Sequence, residues 1–158
     1  MGFALSDMKL TSSAFEQHGQ IPRRHTAEGE DVSPPLSWSG APESTRSFAI
    51  FCHDPDAPLV KPGSFGFTHW VLYGLPGSTT SLSEGTGEGR QGVNDFGGTG
   101  YGGPKPPVGH GTHHYYFWVM ALDRELDFAP GLNLEQLLEK TERHVLGMNR
   151  LVGSYRID

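Results

Sequence analysis

The sequence predicts a mainly β domain, and three observations carry that reading. Three apolar stretches of strand length, rich in aromatic and branched residues, are bounded by turn formers. Glycine (22) and proline (12) exceed a fifth of the 158 residues, while nine Phe, five Tyr and three Trp argue against disorder. Only one segment carries a helical period. Residues 1–158 have the size of a single domain, which buries about 70% of the surface its unfolded chain exposes.

The elements follow in order. Ser47 to His53 reads as a strand ended by Asp54-Pro55-Asp56-Ala57-Pro58. Phe67 to Leu75 is a second, stopped by Pro76-Gly77. Tyr115 to Leu122 is a third, apolar on both faces as in a sheet covered on both sides. Leu134, Leu137, Leu138, Thr141 and Val145 recur at helical spacing, so a helix is expected to cover one face of the sheet. Asn133 caps its start with Gln136 completing a capping box, and Gly147 is expected to end it in a left-handed conformation. A last strand is expected from Val152 to Ile157. Residues 83–109, crowded with glycine and then with Pro104, Pro106 and Pro107, form the longest segment with neither pattern, and so long a loop is usually functional or disordered.

Charge and composition exclude several classes. The formal net charge is -6, with only 12 basic residues and no basic run, so neither nucleic acid nor an anionic membrane surface is an expected partner. Any anion site must be local, built against an unfavourable overall field. No stretch is long and apolar enough to span a membrane. Met1 to Phe15 has neither the basic nor the apolar region of a signal peptide, and a cytoplasmic protein is expected. Met1-Gly2-Phe3-Ala4-Leu5-Ser6 matches the loose myristoylation pattern, which is short enough to arise by chance. Cys52 is the lone cysteine; within the run Phe48-Ala49-Ile50-Phe51 it is expected to be a buried thiol, not a nucleophile.

Few constellations offer chemistry. Gly87-x-Gly89-x-x-Gly92 matches the dinucleotide fingerprint in composition only, because Val93-Asn94-Asp95-Phe96-Gly97-Gly98 cannot open the helix that such a site needs. Asp54 and Asp56, held between prolines after an apolar strand, make either an ordinary turn or a rigid display of carboxylates. His69 lies inside an apolar strand, as a core histidine or as a pocket donor. His110, His113 and His114 raise the question of a metal. Adjacent His113 and His114 point to opposite faces of a strand, so at most one shares a site with His69, and no metal or other cofactor is expected. No Gly-x-Ser-x-Gly elbow is present, although Asp with His makes a general acid–base pair where the two meet in a cleft.

These pieces occur together in one family. Asp54-Pro55-Asp56-Ala57-Pro58 resembles the Asp-Pro-Asp-x-Pro signature of phosphatidylethanolamine-binding proteins, which include Raf kinase inhibitor protein. Gly111-Thr112-His113-His114 resembles the second signature, Gly-x-His-Arg. Ser33-Pro34-Pro35-Leu36-Ser37-Trp38, His69-Trp70-Val71, Tyr101-Gly102-Gly103-Pro104 with Pro106-Pro107, and Gly153-Ser154-Tyr155-Arg156 fall in family order. The similarity runs from about Phe15 to Ile157 and looks most like the prokaryotic branch.

The resemblance implies a large antiparallel sheet packed with a smaller sheet, flanked by few short helices. It implies a pocket for small phosphorylated or carboxylated ligands, lined by Asp54, Pro58, His69, Pro106, Pro107, His113 and Tyr115, with Asp56 bracing the turn. Histidine N–H groups would meet the anion, Asp54 would fix a histidine's tautomer or meet an ammonium, and prolines would hold the mouth open. His114 stands where the family has Arg. It faces away from His113 and lacks Arg's permanent forked charge. A protein partner such as a kinase, and a homodimer, are implied by analogy with relatives. The alternative is a hydrolase using an Asp54/His69 acid–base pair.

Overall fold

The computed structural model describes residues 2–57 and 66–158. Its strands are β1 (Lys9–Thr11), β2 (Leu36–Ser39), β3 (Ser47–Asp54), β4 (Phe67–Pro76), β5 (Ser81–Leu82), β6 (Arg90–Gln91), β7 (His113–Leu122) and β8 (Val145–Tyr155). They form two antiparallel sheets, β1-β2-β5 and β6-β4-β3-β7-β8. The three apolar stretches are the three central strands of the larger sheet. β1, β2, β5 and β6 are two to four residues long, too short for a pattern to mark them.

Side-chain alternation explains why the central strands read as apolar on both faces. Phe48, Ile50 and Cys52 of β3, with Phe117 and Val119 of β7, pack on Leu10, Leu36, Trp38 and Leu82 of the small sheet. The intervening Ala49, Phe51, Val71, Tyr73 and Met120 turn to the other face and meet Leu137 of the helix. Both faces are thus removed from water, which is why polar residues are scarce in these strands. Burial pushes the Cys52 thiol well up, so it stays a protonated core residue.

The helix, α1 (Leu134–Thr141), opens as expected: Asn133 accepts from the Gln136 N–H while the Gln136 side chain caps the Asn133 N–H. Its end differs from the expectation. A 3-10 turn, Glu142–His144, follows, and Val145 is already extended in β8. Gly147 therefore ends nothing. It pairs with Ala121, and its missing Cβ makes room for Ser6, whose Oγ would lie 2.9 Å away. Val145 fits the helical spacing because it packs on the same cluster as Leu137 from a different element. β8 starts seven residues earlier than Val152 and ends at Tyr155, drawn out by register with all of β7. No helix among the described residues is long and apolar enough to cross a membrane.

Candidate functional site

β4 and β7 both run antiparallel to β3 between them, so the end of β3 lies beside the starts of the other two. That topology brings Asp54, Phe67 and His69, and His113 and Tyr115, to one end of the large sheet. Strict alternation would nevertheless separate His69 from the others. Trp70 and Leu72 face the small sheet while Val71 and Tyr73 face the helix, which assigns His69 to the helix side.

A bulge reverses this. Cys52 pairs with Trp70 but His53 pairs with Thr68, leaving His69 as the extra residue. Thr68 then turns to the helix side, where it lines a groove with His53 and Asn133. His69 turns to the Asp54 side, its ring edge-on to Tyr115 at 5.1 Å.

The resulting cavity has a volume of about 210 Å³. Of the sequence-predicted residues, Asp54, His69, Pro106, Pro107, His113 and Tyr115 line it. Pro58 lies outside the described residues. Ala57, Phe67, Phe96, Lys105 and His110 complete the lining and were not anticipated. Phe67 had a signal, its i, i+2 relation to His69 in a strand. His110 and Lys105 had a weaker one, as a third histidine and as a cation between Pro104 and Pro106. Phe96 reaches the site only through the folded 83–109 loop, where it packs on Phe67 at 4.6 Å and His69 at 5.4 Å.

The loop is fastened to β4 by its backbone. Gly102 donates to the His69 carbonyl at 2.9 Å, and Gly103 donates to Asp31 Oδ1 at 2.7 Å. A Cβ on Gly103 would lie 2.4 Å from the His25 carbonyl oxygen, so the approach requires glycine there.

Each buried imidazole is held at Nδ1. Asp54 Oδ2 accepts from His113 at 2.7 Å, and Asp54 Oδ1 accepts from the Asp56 N–H at 2.7 Å. Among the described residues, Asp54 bonds to His113 of β7 and to its own turn. His69 Nδ1 instead lies 2.6 Å from the Gly102 carbonyl. Burial holds His69 below the ordinary histidine value; the Gly102 carbonyl, the Asp54 charge and the Gly103 carbonyl act against this, and His53 acts with it. Burial, reinforced by Asp54, pushes the Tyr115 phenol far up, so it stays protonated. On the other side of β7, Asp56 Oδ2 accepts from both the His114 backbone N–H at 2.7 Å and its Nδ1 at 2.8 Å. Asp56 braces the turn through His114, which does not line the cavity.

The chain matches the family model described as phosphatidylethanolamine-binding protein over residues 11–156. It belongs to the phosphatidylethanolamine-binding protein family. A relative from Methanothermobacter thermautotrophicus, the UPF0098 protein, is 46% identical over 156 residues, covering 94% of this chain and 99% of its own. Among solved structures, the phosphatidylethanolamine-binding protein homolog of Chlamydia trachomatis superposes with a TM-score of 0.88 at 37% identity, covering 96% of this chain and 98% of that one. Escherichia coli YbcL, described as a member of the mammalian PEBP family, gives 0.83 at 31%, covering 97% and 100%. The phosphatidylethanolamine-binding protein signatures thus fall, in this chain, on the turn and strand that build the cavity.

Proposed function

We propose that the cavity is a receptor for small oxyanions, phosphoryl or carboxylate, and that Asp54, Pro58, His69, Pro106, Pro107, His113 and Tyr115 form it. The observation carrying this is that two buried imidazoles line one cavity, each anchored to the fold through Nδ1. Asp54 fixes the His113 ring through Nδ1, and Lys105 adds a cation at the rim. The volume, about 210 Å³, is below the roughly 300–1,000 Å³ of drug-sized sites and suits a head group or free ion.

A hydrolase has less support. Among the described residues no serine, threonine or cysteine lines the cavity, and Tyr115 is held protonated. Family resemblance supports three further expectations: cytoplasmic residence, a homodimer and a protein partner such as a kinase.

Calorimetric or NMR titration with phosphate and phosphoethanolamine tests the receptor. Saturable binding lost in Asp54→Ala and His113→Ala is expected. A folded wild-type protein that binds neither ion refutes the reading.

A further inference from the structure

The bulge that turns His69 into the cavity turns Thr68 the other way, into a groove on the helix side of the large sheet. The groove has a volume of about 380 Å³, within the range of small-molecule sites. Phe3, Leu134 and Leu138 give it an apolar side, and Asp95, Glu135, Glu139 and Glu142 supply carboxylates. No lysine or arginine among the described residues lines it, and none of these carboxylates forms an ion pair among those residues.

Three of the carboxylates form a row. Glu135, Glu139 and Glu142 stand four and three residues apart along one face of α1, and Glu142 keeps helical backbone angles. Like charges at these spacings destabilise a helix, and a carboxylate at its C-terminal end opposes the helix dipole. A cation shared along the row removes both penalties. The row extends over about 10 Å of helix axis. Among the described residues no three acids, histidines or cysteines converge as they would on a metal ion. The complement is therefore an extended chain of positive charges, not a point charge.

A second observation, independent of charge, marks the sheet side of the groove. Thr68 is only 8% exposed, and its hydroxyl has no hydrogen-bond partner among the described residues. A buried hydroxyl left so is costly unless a ligand meets it. The Thr68 N–H donates to Asp95 Oδ2 at 2.8 Å, and the Asp95 N–H donates to the Thr68 carbonyl at 2.9 Å. Hydroxyl and carboxylate thus belong to two residues fastened to each other, and both accept from an ammonium group.

We propose that this groove binds an aliphatic polyamine, its ammonium groups on Thr68, Asp95 and the glutamate row and its methylenes on Leu134 and Leu138. Alkyl segments suit the apolar side, and each terminal ammonium brings three donors to acceptors that lack partners. A second copy of this chain is a poorer complement, because its formal net charge is also -6. The groove shares no lining residue with the oxyanion cavity, so either reading can fail without the other.

Calorimetric titration with spermidine at about pH 7.5 and about 0.15 M salt tests this, since alkyl ammonium groups stay charged there and diffuse attraction is screened. Saturable binding is expected. Glu139→Gln/Glu142→Gln, which changes only exposed side chains, is expected to weaken it at least about tenfold. Thr68→Val, close in shape, is expected to weaken it about fivefold. Glu43→Gln/Glu88→Gln removes the same charge from exposed positions outside the groove and is expected to keep affinity within about twofold. Amide chemical-shift changes, which need no variant to fold, are expected at Thr68, Asp95 and Glu139.

Equal weakening in the two double variants reduces the effect to net charge and overturns the site. So does a titration of folded wild-type protein that never saturates, Mg²⁺ binding as tightly as spermidine, or shift changes confined to other faces. Acetylated and amidated trilysine carries three ammonium groups on a peptide backbone. Tighter binding of that peptide overturns the polyamine assignment in favour of a lysine-bearing protein partner.

Discussion

Asp54 and Asp56 stand two residues apart in one turn, and each holds the Nδ1 of one of two adjacent histidines, at 2.7 and 2.8 Å. The pairs differ in which side of β7 they occupy. The Asp54 and His113 side chains are 4% and 6% exposed, those of Asp56 and His114 40% and 47%. Near-identical geometry therefore carries different energetics. In water an exposed pair gains little, since solvent screens the charges and ordering the side chains has an entropic cost. A buried carboxylate and imidazole have no solvent to fall back on, so losing one strands the other. The buried pair also lines the cavity, while the exposed pair only ties the turn to β7.

The largest effect is expected from Asp54→Ala, which leaves the His113 ring and the Asp56 N–H without acceptors. A loss of about 3 kcal/mol in chemical denaturation is expected, together with loss of phosphate binding. A loss no greater than that of Asp56→Ala would break the comparison.

His69 supplies a pH-graded effect. Its native value is depressed below the ordinary one near 6.5, so the unfolded chain binds the extra proton first. Protons then favour unfolding, and stability is expected to fall as pH drops through the window just below about 6.5. Denaturation midpoints measured from about pH 7 to pH 5 should decline less in His69→Gln than in wild type.

Asp56→Ala removes two hydrogen bonds at an exposed site, and a loss of about 1 kcal/mol or less is expected, with phosphate affinity kept within about threefold. The smallest effect is that of His114→Arg, which restores the residue of the family signature. A change of a few tenths of a kcal/mol is expected, and a double-mutant cycle with Asp56 measures it. A cycle giving the 54–113 and 56–114 pairs equal coupling would refute the ranking by burial.

Much of the fold was legible because the relevant signals are local. Strands β3, β4 and β7 announced themselves as apolar runs, the first two ended by Asp-Pro and Pro-Gly, and the capping box at Asn133 was written in four residues. The limits were physical as well. Thr141 and Val145 continue one apolar spacing across a helix and a strand because both elements pack on one cluster, and periodicity does not record where the backbone changes conformation. In the site, opposite facing of His113 and His114 followed from alternation alone. Lys105 and Phe96 did not, since their approach depends on how a glycine-rich loop docks on β4.

By itself, then, the sequence determined which residues are apolar enough to be core, which turn carries two carboxylates and that the adjacent histidines face opposite ways. It also carried the family signatures. Tertiary structure decided the partners. A bulge one residue long carries His69 across the sheet to the side of Asp54, yet Asp54 bonds to His113 and a loop carbonyl from Gly102 claims His69. Alternation is a property of one strand, but register and hydrogen-bond partners belong to pairs of strands, and a single inserted residue changes them without changing the pattern that precedes it.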